Sequence, residues 1–549
     1  MSKKSNNLKH YRPTLLKFIS LLLTILINYI VVGQETKMII IENSRYFQVT
    51  EELGPDVNLL KENVILKHDS AYMYCDSAYF NMKSNSFIAF GNIHVISPTE
   101  DLTDTVHLFG DSLHYSGRNK LAEVRYNVVL QKDSMVLYTE NLDYKMDENI
   151  GYYFDGGKTL NGEDTLVSKK GYYYADLDEL NFKDSVVVHN PKYTMYSDTL
   201  KHHTKNKISY ILGPTDIVAS DSSNFIYSES GWYNHNLDIG QLNKNPVLTH
   251  KKQTLVGDSI FYDRKKGLGI AFENVTIADS VQNVRLKGNS GRYYEFTESS
   301  VITDSALFIH IQKEDSLFMH ADTIRSIIDT LITKADTSTF RLIKAYNKSK
   351  VFRSDYQAKS DSLIYTFLDS TIKLYIEPIL WSGKNQLTAD YIEIQTDSNE
   401  VNKVILINNS LMASKSDTNS FNQIKGKKMT GHLKKNELYR IDVQEESGAI
   451  YFMLDKEKLV GINKTKCKNM VIYLVNNEME DIWFYDNPEG TMYPPKDIGA
   501  DERIFKNFKW QKKFRPEKWQ DVFIWEKNEE NSKQKEKNTG NGKEIELIK

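Results

Sequence analysis

The chain is poor in the residues that staple or interrupt a fold. It has 2 cysteines in 549 residues, so no disulfide framework can hold it, and Cys75 and Cys467 are expected to stay unpaired. It has 11 prolines, and its formal net charge is −3. With no basic field, nucleic acid is not an expected partner. Strong helix formers rarely recur at helical spacing before residue 500. What is abundant is tyrosine, 33 residues, together with isoleucine, valine and threonine. That mixture favours pleated strands.

The N-terminus reads as a targeting segment. Lys3, Lys4, Lys9, Arg12 and Lys17 precede an apolar run from Phe18 to Val32, and Val31-Val32-Gly33 before Gln34 fits a cleavage site. The run is short for a full membrane span of roughly 20 residues. Residues 1–33 are therefore expected to be a signal peptide, with a retained N-terminal inner-membrane anchor as the alternative. No cysteine follows the run, which argues against a lipoprotein anchor. Both readings place the body in the periplasm.

Two short phrases recur down the chain. The first runs acidic, small polar, apolar, any, aromatic. It appears at Asp76-Ser77-Ala78-Tyr79-Phe80, Asp111-Ser112-Leu113-His114-Tyr115, Asp258-Ser259-Ile260-Phe261-Tyr262 and Asp361-Ser362-Leu363-Ile364-Tyr365, with looser copies between. Anchors at 76, 111, 141, 171, 198, 230, 258, 290 and 322 step by 27 to 35 residues. A near-constant step of this size marks stacked supersecondary units. The second phrase is Asn, apolar, any, apolar: Asn63-Val64-Ile65-Leu66, Asn92-Ile93-His94-Val95, Asn127-Val128-Val129-Leu130 and Asn274-Val275-Thr276-Ile277. Both have period two, so their apolar members share one face of a strand. Each repeat is expected to hold about three short strands. No repeat can bury its apolar face alone, so neighbours must stack around a shared interior.

The phrasing loosens between Ile327 and Lys350, then resumes at Asp361, Asp390, Lys427 and Lys468. Repeats are accordingly expected over 34–335 and again over 336–487. Residues 488–526, with Pro494-Pro495 and an aromatic stretch from Ile504 to Trp525, read as a cap or docking segment. Residues 527–549 are charged and polar and read as a disordered tail.

Three motifs invite a catalytic or ligand-binding reading. Gly110-Asp111-Ser112-Leu113 spells the nucleophile block of a lipase and esterase family, but Gly257-Asp258-Ser259-Ile260 nearly repeats it at the strand phrase, which argues for a structural turn. Gly151 through Thr159 resembles a phosphate-binding loop with its first glycine one position early, and reads as a hairpin turn. His189, His202 and His203 lack a third ligand at metal spacing. No catalytic residue, metal or cofactor is expected.

The alternating phrases resemble those of the OstA/LptA-like (organic solvent tolerance) family of periplasmic lipopolysaccharide transport proteins. Gly91-Asn92-Ile93-His94-Val95 followed by Gly110-Asp111-Ser112-Leu113-His114-Tyr115 carries the resemblance, which extends in tandem copies over roughly residues 35 to 480. It implies an all-β fold: an elongated, open β-jellyroll or β-solenoid of OstA-like repeats with antiparallel strands. It implies a non-enzymatic carrier that moves lipopolysaccharide between inner and outer membrane, with lipid A acyl chains in an apolar trough. On that reading the same-face residues Val64, Leu66, Ile93, Val95, Leu113, Tyr115, Val128, Leu130, Ile260, Tyr262, Val275 and Ile277 line the trough. The expected partners are lipopolysaccharide, the inner- and outer-membrane transport components joined by strand-edge addition, and a second copy end to end. The chain is longer than a minimal bridge protein and lacks the long run of amphipathic C-terminal strands of an outer-membrane barrel. The alternatives are a structural or adhesive β-solenoid that binds protein or glycan on its outside, and a polysaccharide-active β-solenoid enzyme.

Overall fold

The structure, a computed structural model, describes residues 37–526 except 50–53, 314, 334–336, 398–399, 417–419, 436, 456–457, 476–477 and 507. The expected targeting segment and charged tail lie outside the described residues. Among those residues the only helices are short 3-10 turns; everything else regular is strand. No helix among the described residues is long and apolar enough to cross a membrane. The chain forms two compact units, Met1–Asp184 and Ser185–Lys549.

In the first unit Val57–His68, Ala71–Asn81, Ser86–Pro98, Thr105–Ser116, Leu121–Lys132 and Met135–Lys145 pair in sequence order, each antiparallel to the next. Every one is a bent pass whose two halves pair along two arms of one continuous sheet. Arm I takes 64–68, 71–75, 93–98 and 105–110; arm II takes 57–61, 77–81, 86–90 and 112–116. Later passes break at the bend into two strands, as in Ile150–Tyr153 and Gly157–Asn161. The alternating burial of Leu121–Lys132 and its neighbours turns one face of each arm toward the other. The shared interior lies between them.

The bend has a local cause. At every second pass two consecutive residues adopt left-handed backbone: Glu62 and Asn63, Tyr126 and Asn127, Glu273 and Asn274, Asn408 and Asn409. Each pair opposes one residue of the following strand, a β-bulge that turns the strand. Asparagine tolerates this conformation better than most side chains. Its amide then reaches the acidic residue that opens the other phrase. Asn92 donates to Asp76 at 2.8 Å, Asn127 to Asp111 at 2.7 Å, and Asn274 to Asp258 at 3.0 Å, each 16 residues apart. The two phrases are thus the two halves of one corner clamp, and 16 residues is one pass with its turn. The repeat of about 30 residues is two bent passes with four strand halves, where three short strands were expected. Gly110-Asp111-Ser112-Leu113 is one such corner: Asp111 holds Asn127, and a Cβ on Gly110 would strike Val124. Gly151 through Thr159 is also a corner, where Asp155 accepts from Asn141 at 2.8 Å; it is not a hairpin turn.

The second unit repeats this construction. Leu268–Asp279, Val284–Tyr294, Glu400–Lys415, Phe421–Lys434, Glu437–Asp455 and Lys458–Val475 each serve both arms. The loosened phrasing near 327–350 corresponds to a long hairpin, Thr323–Ile332 with Thr337–Tyr346. Its outer half is exposed, so apolar alternation is not required there. Residues 494–525 run back across the outside of arm I. There Phe514 packs on Ile379 and Trp381, while the intervening Leu380 faces the interior.

Candidate functional site

All twelve residues expected to line a trough point inward. They are Val64, Leu66, Ile93, Val95, Leu113, Tyr115, Val128, Leu130, Ile260, Tyr262, Val275 and Ile277, and none is more than 5% exposed. The structure brings them to the space between the arms, but fills that space. In the first unit Phe87 lies 5.4 Å from the ring of Tyr115, and Tyr144, Tyr153 and Tyr173 are fully buried. These side chains pack closely against one another, with almost no surface left exposed. Burial raises the phenol pKa values of Tyr115 and Tyr262 well above the ordinary range. Their hydroxyls are partnered, Tyr115 with His68 at 2.6 Å and Tyr262 with Asn224 at 3.2 Å.

The arms are closed at their tips by polar contacts. In the first unit His68 of arm I meets Tyr115 of arm II, and Ser97 meets Asn149 at 3.4 Å. Lys132 donates to Asp178 at 2.6 Å and to the Ala175 carbonyl at 2.7 Å. In the second unit Lys192 meets Asp238 at 2.7 Å, Asn224 meets Glu295 at 3.1 Å, Asp279 meets Arg341 at 2.8 Å, and His310 meets Tyr365 at 3.1 Å. His68, Ser97, Lys132 and Asp279 were not singled out in the sequence. The signal was present: each stands two residues beyond the last apolar member of an Asn phrase, at the inward phase. All four are under 9% exposed, so each buried polar group needs its partner.

One place between the arms is left unfilled. Arm I residues Leu380, Leu387 and Met412 face arm II residues Val404, Leu406 and Met429 across a void of about 30 Å³, whose lining is almost wholly apolar. Too small for a chain as it stands, it is lined in part by flexible methionines that can repack. These residues lie in the block after the long hairpin and were not among those expected.

His202 is buried and bonds Ser209 at 3.0 Å, which in turn contacts His235 at 2.7 Å. Among the described residues no group of three or more histidine, cysteine, aspartate or glutamate side chains is placed to hold a metal ion. Cys75 and Cys467 are free and buried, and burial pushes the Cys75 thiol up to about 12.

Both ends of the strand order present apolar edges. In the first unit, Ile40–Asn43 and Tyr46–Val49 each pair, among the described residues, on one side only, with Val57–His68, and expose Ile40, Phe47 and Val49. In the second, Glu478–Tyr485 pairs, among the described residues, with Lys458–Val475 alone and exposes Trp483 and Tyr485.

No curated protein matches the chain. Among solved structures, a match is found to LptH, described as the LptA homologous periplasmic component of the conserved lipopolysaccharide transport device from Pseudomonas aeruginosa. It covers 23% of this chain and 82% of that one at 13% identity, with a TM-score of 0.18. Residues 35–198 and 201–324, together just over half of the sequence, match the family described as OstA-like protein. With its paired phrases, clamped corners and antiparallel all-β arms, the chain belongs to the OstA-like protein family.

Proposed function

We propose that this chain is a periplasmic protein of the lipopolysaccharide transport type, which passes acyl chains between its two arms on their way from the inner to the outer membrane. Membership in the OstA-like family supports the reading. The observation that carries it is that the interior is lined by apolar side chains along successive passes while, among the described residues, hydrogen bonds from side chains join its tips. Parting the tips would uncover an apolar lining on both sides, and each methylene entering it would gain roughly 0.8 kcal/mol. The void at Leu406 and Met429 is where entry displaces least protein. The blocks 34–335 and 336–487 would each supply lining, and the segment 488–526 would serve as a cap or docking segment. The edge strands with Phe47 and Trp483 would accept neighbouring transport components or a second copy.

A second reading has its own support. Interior residues at 0 to 5% exposure suit a closed scaffold that binds protein or glycan outside. A photo-reactive amino acid placed at Leu113 and, separately, at Met429 in cells separates the two. The conduit reading expects crosslinks to lipopolysaccharide from both positions. Crosslinks confined to the protein itself at both would leave the scaffold.

A further inference from the structure

We propose that the outer face of arm II in the second unit holds a cradle for a phosphate group. Three adjacent strands build it: Val284–Tyr294, Ser299–Thr303 and Thr323–Ile332. Arg292 stands opposite Val301, and Val301 stands opposite Arg325. Directly opposed residues project on the same face. Strands about 4.8 Å apart set the two arginine backbones roughly 10 Å apart, with Val301 as the floor between them. Ser299 and Thr303, two residues to either side of Val301, share its face. The opposite face belongs to buried Ser300 and Ile302. The result is a groove of about 510 Å³ with Arg292 and Arg325 as walls and Ser290, Ser299 and Thr303 along it.

The charge arrangement is what sheet packing alone would avoid. Arg325 is also directly opposite Lys344, and like charges so placed destabilise a sheet. None of the three cations has an ion-pair partner among the described residues, and no acidic residue lines the groove. A dianion seated over Val301 would compensate all three. Guanidinium groups bind phosphate oxygens in pairs, and hydroxyl groups can donate to those that remain. The ligand is therefore a phosphate group, carried by a sugar or free in solution. This cradle lies outside the interior and does not depend on acyl chains entering it.

The test is calorimetric titration of the full-length protein with glucose 1-phosphate and, separately, inorganic phosphate. Charge-assisted hydrogen bonds are strong enough that the variant Arg292→Gln/Arg325→Gln should bind about tenfold more weakly or worse. Arg285→Gln, on arm I of the same strand, should bind as the parent does. Tighter binding of glucose 1-phosphate assigns the cradle to a phosphorylated sugar, and equal binding assigns it to phosphate itself. Without ligand, Arg325→Gln should melt higher than the parent, since it removes a like-charge contact. No binding of either probe to the parent, or parent-like binding by the double variant, would overturn the proposal.

Discussion

At the scale of the residue, the fold is decided at its corners. A left-handed pair that asparagine tolerates sets the bulge, and at Asn92, Asn127 and Asn274 an acidic residue 16 positions earlier holds the amide. Ile376 departs from this rule. It occupies the left-handed region at φ 62° and is 61% exposed, so no packing compensates a β-branched side chain there. Ile376→Asn should therefore stabilise the protein by about 1 kcal/mol, read as a higher urea midpoint at unchanged slope. The sequence displayed both halves of the clamp. That they bond to each other was not legible, because the contact spans a turn whose length becomes meaningful only once the pass is known to bend.

At the scale of the element, the segment from 494 to 525 adds a third layer over arm I. Gln423 donates to the Arg503 carbonyl at 3.0 Å and accepts from the Phe505 amide at 2.9 Å. Gln386 treats Lys509 and Gln511 in the same way, at 2.7 Å each. Arg515 donates to Gln357 at 2.8 Å. Lys359 lies 4.4 Å from the Phe514 ring and 4.8 Å from that of Trp525, and burial lowers its pKa. Phe514→Ala should cost about 3 kcal/mol and release the segment. Limited trypsin digestion would then cleave after Lys513 or Lys518 while the body stays intact; a variant as resistant as the parent would mean the segment is held elsewhere. Composition marked residues 488–526 as a cap or docking segment. Its receptor was hidden, since Tyr356–Ser360 is buried on both faces only by residues far along the chain.

At the scale of the whole molecule, stability should depend on pH through histidines held neutral. Burial lowers the pKa values of His94, His310 and His320. Arg353 lowers His310 further. The His320 ring donates to the Ala306 carbonyl at 2.7 Å and rests against Phe523 at 4.6 Å. A histidine with a depressed folded pKa contributes full stability above its unfolded value near 6.5 and loses it as pH falls toward the folded value. The melting temperature should fall between pH 7 and pH 5, and His310→Gln/His320→Gln should flatten that fall. The strand phrases made the two-sided interior legible in advance. The contacts that close it were not, because His68 and Tyr115, or Asp279 and Arg341, meet only after the passes between them are laid down. The alternation of passes has a further consequence. After every second pass the chain returns to the tip where it began, carrying one bulge and one clamp. A tandem duplication of such a stretch in the gene would insert a ready-made neighbour for its parent, so descent by copying can lengthen the protein without redesigning any contact already in place.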